Sequence, residues 1–173
     1  DGMIIRDVLP AEAVEAVSGR LGDAGITKMP FPMFAGEANP PHTLGAPVVG
    51  CDPEMHEYFA QAAEYRRSCR ALFAGQIDFE ARVEEIFRAL SGGLSAVVPE
   101  GPRGGTYTSS TIRVLPEGHE IGVHVGNEFL RTPQASHLKQ IVDPVDQLSF
   151  FVPLSVPEGG GELVVYGLEW DDV

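Results

Sequence analysis

The chain has 173 residues, 43% of them apolar and 21% charged, with a mean hydropathy near zero. That length allows one sizeable buried core, so a single domain is the expectation, and nothing in the composition points to disorder. The formal net charge is -13, and the twelve Lys and Arg are spread along the chain. This excludes a nucleic-acid groove or an anionic membrane surface as the first reading, since both need clustered cations.

The opening residues, Asp1-Gly2-Met3-Ile4-Ile5-Arg6, lack the basic and apolar regions of a signal peptide, and no apolar run reaches the roughly 18 to 20 residues of a membrane span. A cytoplasmic location is the default expectation, and Asp1 in place of an initiator Met points to residues upstream. Cys51 and Cys69 belong to no C-x-x-C pair, so free thiols in a reducing compartment are expected.

Pro10 to Gly25 reads as a helix: Pro10 begins the first turn, Ala and Glu dominate, and Val14, Val17 and Leu21 recur at spacings of three and four. From Met29 to Pro53 the pattern changes to Pro and Gly punctuation, with Pro30, Pro32, Pro40, Pro41 and Pro47 breaking any regular element of length. Such a stretch serves either as a lid or as a plain surface connection. Asp52 is placed to cap a helix from Pro53 to about Gly75 that buries Met55, Phe59, Ala62, Ala63 and Leu72. A further helix begins at Asp78, carries Phe79, Val83, Ile86, Phe87 and Leu90 at helical spacing, and ends at Gly92-Gly93.

After Gly104-Gly105 the character changes to strands. Tyr107 to Leu115 is rich in Thr, Ile and Val, and Glu120 to His124 follows a Pro116-Glu117-Gly118 turn. Gln147 to Val156 and Glu162 to Leu168 read as two more strands joined through Pro157-Glu158-Gly159-Gly160-Gly161. Helices followed by antiparallel strands predict an α+β fold in which the helices buttress a sheet or barrel.

The chemistry concentrates between Arg113 and Phe129. Read by period two, His119, Ile121, Val123 and Val125 share one face, while Glu120, Gly122, His124 and Gly126 share the other. Two glycines beside an imidazole leave that face open to the close approach of a ligand. A lone strand histidine is nevertheless more often a structural residue than a metal ligand. His42, His56, His119 and His137 show no ligand spacing with it, and His137 reads as structural.

Taken together, Gly118 to Phe129 (a turn glycine, then I-x-x-H-x-x-N-x-F), Asp146 to Leu154 (D-Q-L-S-F-F-V-x-L) and Pro157 to Tyr166 (P-E-x-G-G-E-L-x-x-Y) resemble the core of the Fe(II)/2-oxoglutarate-dependent oxygenases. The resemblance is closest to the group holding amino-acid hydroxylases and radical halogenases. It implies a double-stranded β-helix, jelly-roll or cupin-like, buttressed by N-terminal helices: one domain over 1–173, with 1–104 as helical buttress and loop and 105–173 as the first part of the β core.

The family's iron is held by H-x-D or H-x-E and a distal His. The resemblance therefore implies His124 as iron ligand, with Fe(II), 2-oxoglutarate and O2 as cofactors. Two residues after His124 stands Gly126 in place of the carboxylate, as in the halogenases, and this implies chloride as a further iron ligand and chlorination of a small substrate such as a free amino acid. Asn127 would help to position the halide or would serve as a turn residue. Tyr107, Thr108 and Ser110 carry hydroxyls able to bond 2-oxoglutarate, and Arg113 and Arg131 are able to pair with a substrate carboxylate. Tyr166 and Trp170 would line the pocket or pack in the core.

Three alternatives stay open. Gly126 would also suit a hydroxylase altered at this position, or a binding domain that has lost its metal. Glu128 would replace the carboxylate only through a sharp turn, since a straight strand sets it about 13 Å from His124. The distal His and its basic companion match nothing before Val173, so the remaining ligands are expected beyond it. The partner implied is a small molecule, with no nucleic acid, no membrane and no particular oligomeric state.

Overall fold

The computed structural model describes residues 2–22, 29–30, 37–49, 51, 54–124, 126–143 and 148–167. Its elements are helices α1 (Ala11–Gly22), α2 (His56–Leu72), α3 (Phe79–Leu90) and α4 (Leu138–Ile141), with strands β1 (Met29–Pro30), β2 (His42–Leu44) and β3 (Ile112–Val114). The strands form one antiparallel sheet in the order β1-β2-β3, with Thr43 opposite both Met29 and Arg113. Helices beside a small antiparallel sheet make this an α+β arrangement.

Helix α2 is the spine. Tyr58, Ala62, Tyr65, Cys69 and Leu72 are buried at alternating spacings of four and three, the stripe that one face of a helix presents. Its first half meets Ala46, Tyr107, Leu130, Ala135 and Leu138 in one core cluster. Its second half meets Leu9, Val17, Leu44 and Phe73 in another. Two of the residues expected inside differ: Ala63 is exposed and Phe59 is half-buried, because the phenols of Tyr58 and Tyr65 occupy the inward positions. The expected cap Asp52 and first-turn Pro53 lie outside the described residues. The helix opens instead from Met55, which has φ 57 and offers no side-chain cap.

The other helices follow their local signals. In α1, Val17 is fully buried while Val14 and Leu21 pack at the edge of the second cluster. Asp78 caps α3 by accepting a 3.1 Å bond from the Ala81 N–H. Gly92 and Gly93 end it at φ 72 and 105, with Gly93 N–H donating back to the Arg88 carbonyl. Leu90, the last residue of the helix, is 41% exposed.

The strand expectations need correction. The Pro-rich stretch supplies β1 and β2: β1 is an edge strand ending on Pro30, where a proline is tolerated, and β2 lies between it and β3. Of Tyr107 to Leu115 only Ile112–Val114 is strand, and Thr106 makes an isolated bridge to Glu100. Glu120–His124, Leu148–Val156 and Glu162–Gly167 are not strand, since no ladder partner for their backbone groups lies among the described residues. The jelly-roll core implied by the resemblance is accordingly not formed by the described residues, while Gln147 and Leu168 lie outside them. A period-two alternation survives at 150–154: Phe150 tilts against Phe87 with ring centroids 5.4 Å apart, Val152 and Leu154 pack on the second cluster, and Phe151 is 67% exposed. Ser18 Oγ secures this run by donating to the Leu154 carbonyl.

Both cysteines are free thiols, as expected. Among the described residues no helix is long and apolar enough to cross a membrane.

Candidate functional site

His124 lies on an exposed stretch, Glu120–His124, between two anchored regions. On the N-terminal side His119 Nε2 sits 2.8 Å from Glu37 Oε2. On the C-terminal side a 3-10 turn at Glu128–Arg131 buries Leu130, and a second at Pro133–Ala135 buries Ala135. Gln134 Nε2 donates 3.0 Å to the Cys51 carbonyl and ties this region to the start of α2.

The imidazole of His124 has its Nδ1 2.9 Å from the Gly122 carbonyl. A carbonyl only accepts, so Nδ1 carries a proton, and in the neutral ring this leaves the lone pair on Nε2, the form in which histidine ligates metals. A Cβ at Gly122 would meet nothing within 4 Å, so this side of the stretch is open, as the paired glycines suggest. Gly126 follows at a turn, and Asn127 precedes the Glu128–Arg131 turn, its carbonyl accepting from Leu130 N–H while its side chain makes no cap. Val125 lies outside the described residues. Glu128 is exposed at the start of its turn, and among the described residues no three His, Cys, Asp or Glu side chains come together as a metal group.

The hydroxyl residues sit along α2. Tyr107 is buried, and its hydroxyl lies 3.3 Å from His137 Nδ1, with the two rings stacked. Burial raises its pKa, and the neighbouring Tyr58 adds to this. Thr108 N–H donates 3.1 Å to the Tyr58 hydroxyl, and Ser110 Oγ lies 2.7 Å from the Tyr65 hydroxyl. Arg66 holds the same run, donating to the Thr106 and Tyr107 carbonyls while paired with Glu80 at 3.2 Å. Thr108 through its backbone and Ser110 through its side chain thus meet α2 at two phenols one helical heptad apart, Tyr58 and Tyr65. Thr108 Oγ1 is buried and has no hydrogen-bond partner among the described residues.

Arg113 stands on β3 with its residue exposed, partial desolvation of the guanidinium lowering its pKa, and Arg131 is exposed at the end of its turn. Tyr166 is 55% exposed, contrary to a core role, because the run Leu163–Tyr166 meets no covering element among the described residues. Trp170 lies outside them. Sequence reasoning missed Tyr58 and Tyr65 as partners of the 107–110 run; their separation on one helix face was the available signal.

The carrier-protein-independent halogenase WelO5 family matches residues 1–172. The chain belongs to this family. No curated protein matches it. Membership bears out the resemblance to the radical halogenases drawn from His124-x-Gly126, and it places the chain in an enzyme family of halogenases.

The cofactors of such a halogenase fit these residues in part. His124 offers one nitrogen ligand in the correct tautomer, and Gly126 offers no competing carboxylate. Of the three hydroxyls, those of Tyr107 and Ser110 are engaged within the protein, whereas Thr108 Oγ1 is buried with no hydrogen-bond partner among the described residues.

Proposed function

We propose that the protein is an Fe(II)/2-oxoglutarate-dependent halogenase that chlorinates an unactivated carbon of a small free substrate, an amino acid being the simplest of that kind. The observation carrying this reading is His124-x-Gly126 inside a chain matched to the halogenase family over 1–172. The iron, when bound, supplies the oxygen-driven hydrogen abstraction and holds the chloride.

The residues divide the remaining work. Nε2 of His124 would hold the metal, its orientation fixed by the Gly122 carbonyl. Gly126 would leave the halide position clear, and Asn127 would border it. Thr108 would bond a carboxylate oxygen of 2-oxoglutarate, with Tyr107 and Ser110 shaping that wall through their bonds to His137 and Tyr65. Arg113 and Arg131 would pair with a carboxylate on the substrate. The single-domain organisation, with 105–173 contributing to a jelly-roll core, belongs to the same proposal, as does a cytoplasmic location.

The test uses the full-length protein loaded anaerobically with Fe(II), then given 2-oxoglutarate, oxygen and trial free amino acids, with and without chloride. Succinate release and a product bearing the chlorine isotope pattern only when chloride is present are expected. Hydroxylated product with no halide dependence would sink the halogenase reading in favour of a hydroxylase, and failure to take up iron would favour a binding domain. Gly126→Asp should move the product from chlorinated toward hydroxylated.

A further inference from the structure

A cavity of about 300 Å³ opens beside the start of α2; His124, Gly126 and Asn127 do not line it, whereas His137, the partner of Tyr107, does. One wall is apolar, from Met55, Phe59 and Pro102, and the other is polar, from Gln134, Ser136 and His137. This size stands at the lower end of small-molecule sites, and the mixed lining is typical of them. The loop behind it is built to tolerances set by one ring. A Cβ at Gly101 would fall 2.1 Å from Phe59 Cζ, and one at Gly105 would fall 2.4 Å from Phe59 Cγ. Phe59 is itself held edge-on by Tyr58 and Tyr107, so the apolar wall is preformed.

The polar wall has a defined hydrogen-bonding sense. The phenol of Tyr107 is 3% exposed, and the acceptor that the described residues give its hydrogen is His137 Nδ1. If Nδ1 carried the proton instead, the buried phenol hydrogen would be left without an acceptor. Neutral His137 therefore bears its proton on Nε2, so any hydrogen bond this ring makes to a ligand in the cavity is one that it donates. Glu54 and His56 also border the cavity, but each is already engaged with a partner, so neither is available to neutralise a charged ligand, and an ammonium has no acceptor to offer the imidazole N–H.

We propose that this cavity is a binding site for a small uncharged molecule, or the uncharged part of a larger one, with a compact apolar body and a carbonyl-type oxygen that accepts from His137. The site assignment stands on the cavity alone. Calling it the seat of a substrate's uncharged portion rests on the halogenase reading.

Three probes of one shape separate the possibilities: cyclohexanecarboxamide, cyclohexanecarboxylate and cyclohexylammonium, titrated into the protein without metal or 2-oxoglutarate and followed by NMR. The amide should shift the His137 ring and Gly105 amide resonances and bind about tenfold more tightly than either ion. Ser136→Leu, at an exposed position, should abolish those shifts with an unchanged folded spectrum, and the milder Ser136→Val should weaken them if the larger side chain disturbs the fold. Tyr107→Phe frees the tautomer and should reduce the preference for the amide. Absence of shifts from all three probes, or equal binding of an ion, overturns the proposal. Because no metal is present, that failure leaves the halogenase reading standing, and absence of chlorination leaves this site standing.

Discussion

Around α2, Val17, Tyr65 and Leu72 are at most 3% exposed, whereas Val123, Leu163, Val164 and Val165, of similar chemistry, are 63% to 81% exposed. The two regions differ in the partners they find. The α2 stripe meets Tyr107 and the turns at 130–138 on its first half and α1 and β2 on its second. The stretch after Pro116 is anchored at points: the His119–Glu37 contact, the turns around Leu130 and Ala135, and one inward face of 150–154. Apolar content thus does not by itself bury a segment; a second surface at matching period does.

The largest effect that sharpens this contrast is a cavity in the α2 core. Leu72 is 1% exposed, so Leu72→Ala should cost about 2–5 kcal/mol in denaturant unfolding, with a clear fall in the transition midpoint. A cost below about 1 kcal/mol would mean that α2 is not the spine described here.

Next in size is the Phe59 contact with its glycine loop. Gly105→Ala forces a Cβ to within 2.4 Å of the ring and should cost about 1–3 kcal/mol. Phe59→Leu removes the obstructing ring, so the two changes together should cost less than their sum in a double-mutant cycle. Additive costs would place the ring elsewhere.

Alkaline pH probes the buried phenols and thiol. Tyr65 and Cys69 have pKa values raised chiefly by burial, so each is held neutral in the folded protein. A raised acid contributes stability that is intact below its unfolded pKa and is lost as pH rises toward the folded value. Unfolding free energy should therefore hold near neutrality and fall above about pH 10 for the tyrosine, by up to about 1.4 kcal/mol per pH unit for one such group. Tyr65→Phe should flatten part of that slope, at a cost of about 1 kcal/mol near pH 7 from the lost bond to Ser110. An unchanged slope in the variant would show Tyr65 to be in contact with water.

What the sequence made legible divides along the same line. The Asp78 cap, the Gly92-Gly93 stop and the Val17 face are local signals, and the structure follows them. The Tyr107–Leu115 and Glu120–His124 strands were not so constrained, because alternation specifies a strand only when a neighbour accepts its hydrogen bonds. At the site, His124 and Gly126 were readable as a motif, while the His137–Tyr107 pair was not, since it joins residues far apart in sequence through a stacking geometry that no spacing encodes.

The smallest effects lie where exposure is greatest. Val165→Ala and His124→Ala should each change stability by no more than about 0.5 kcal/mol, since Val165 is 81% exposed and, among the described residues, the His124 ring bonds only to the carbonyl two residues before it. A loss of about 2 kcal/mol from Val165→Ala would show that this run is covered in solution. For His124 the informative quantity is linkage. A metal that binds the folded protein stabilises it with the logarithm of its concentration over Kd, about 2.7 kcal/mol at a hundredfold excess. Adding Mn(II) or Fe(II) anaerobically should therefore raise the unfolding midpoint of the parent protein and leave that of His124→Ala where it was. Equal stabilisation of the two would remove His124 from the metal, however well its tautomer suits one.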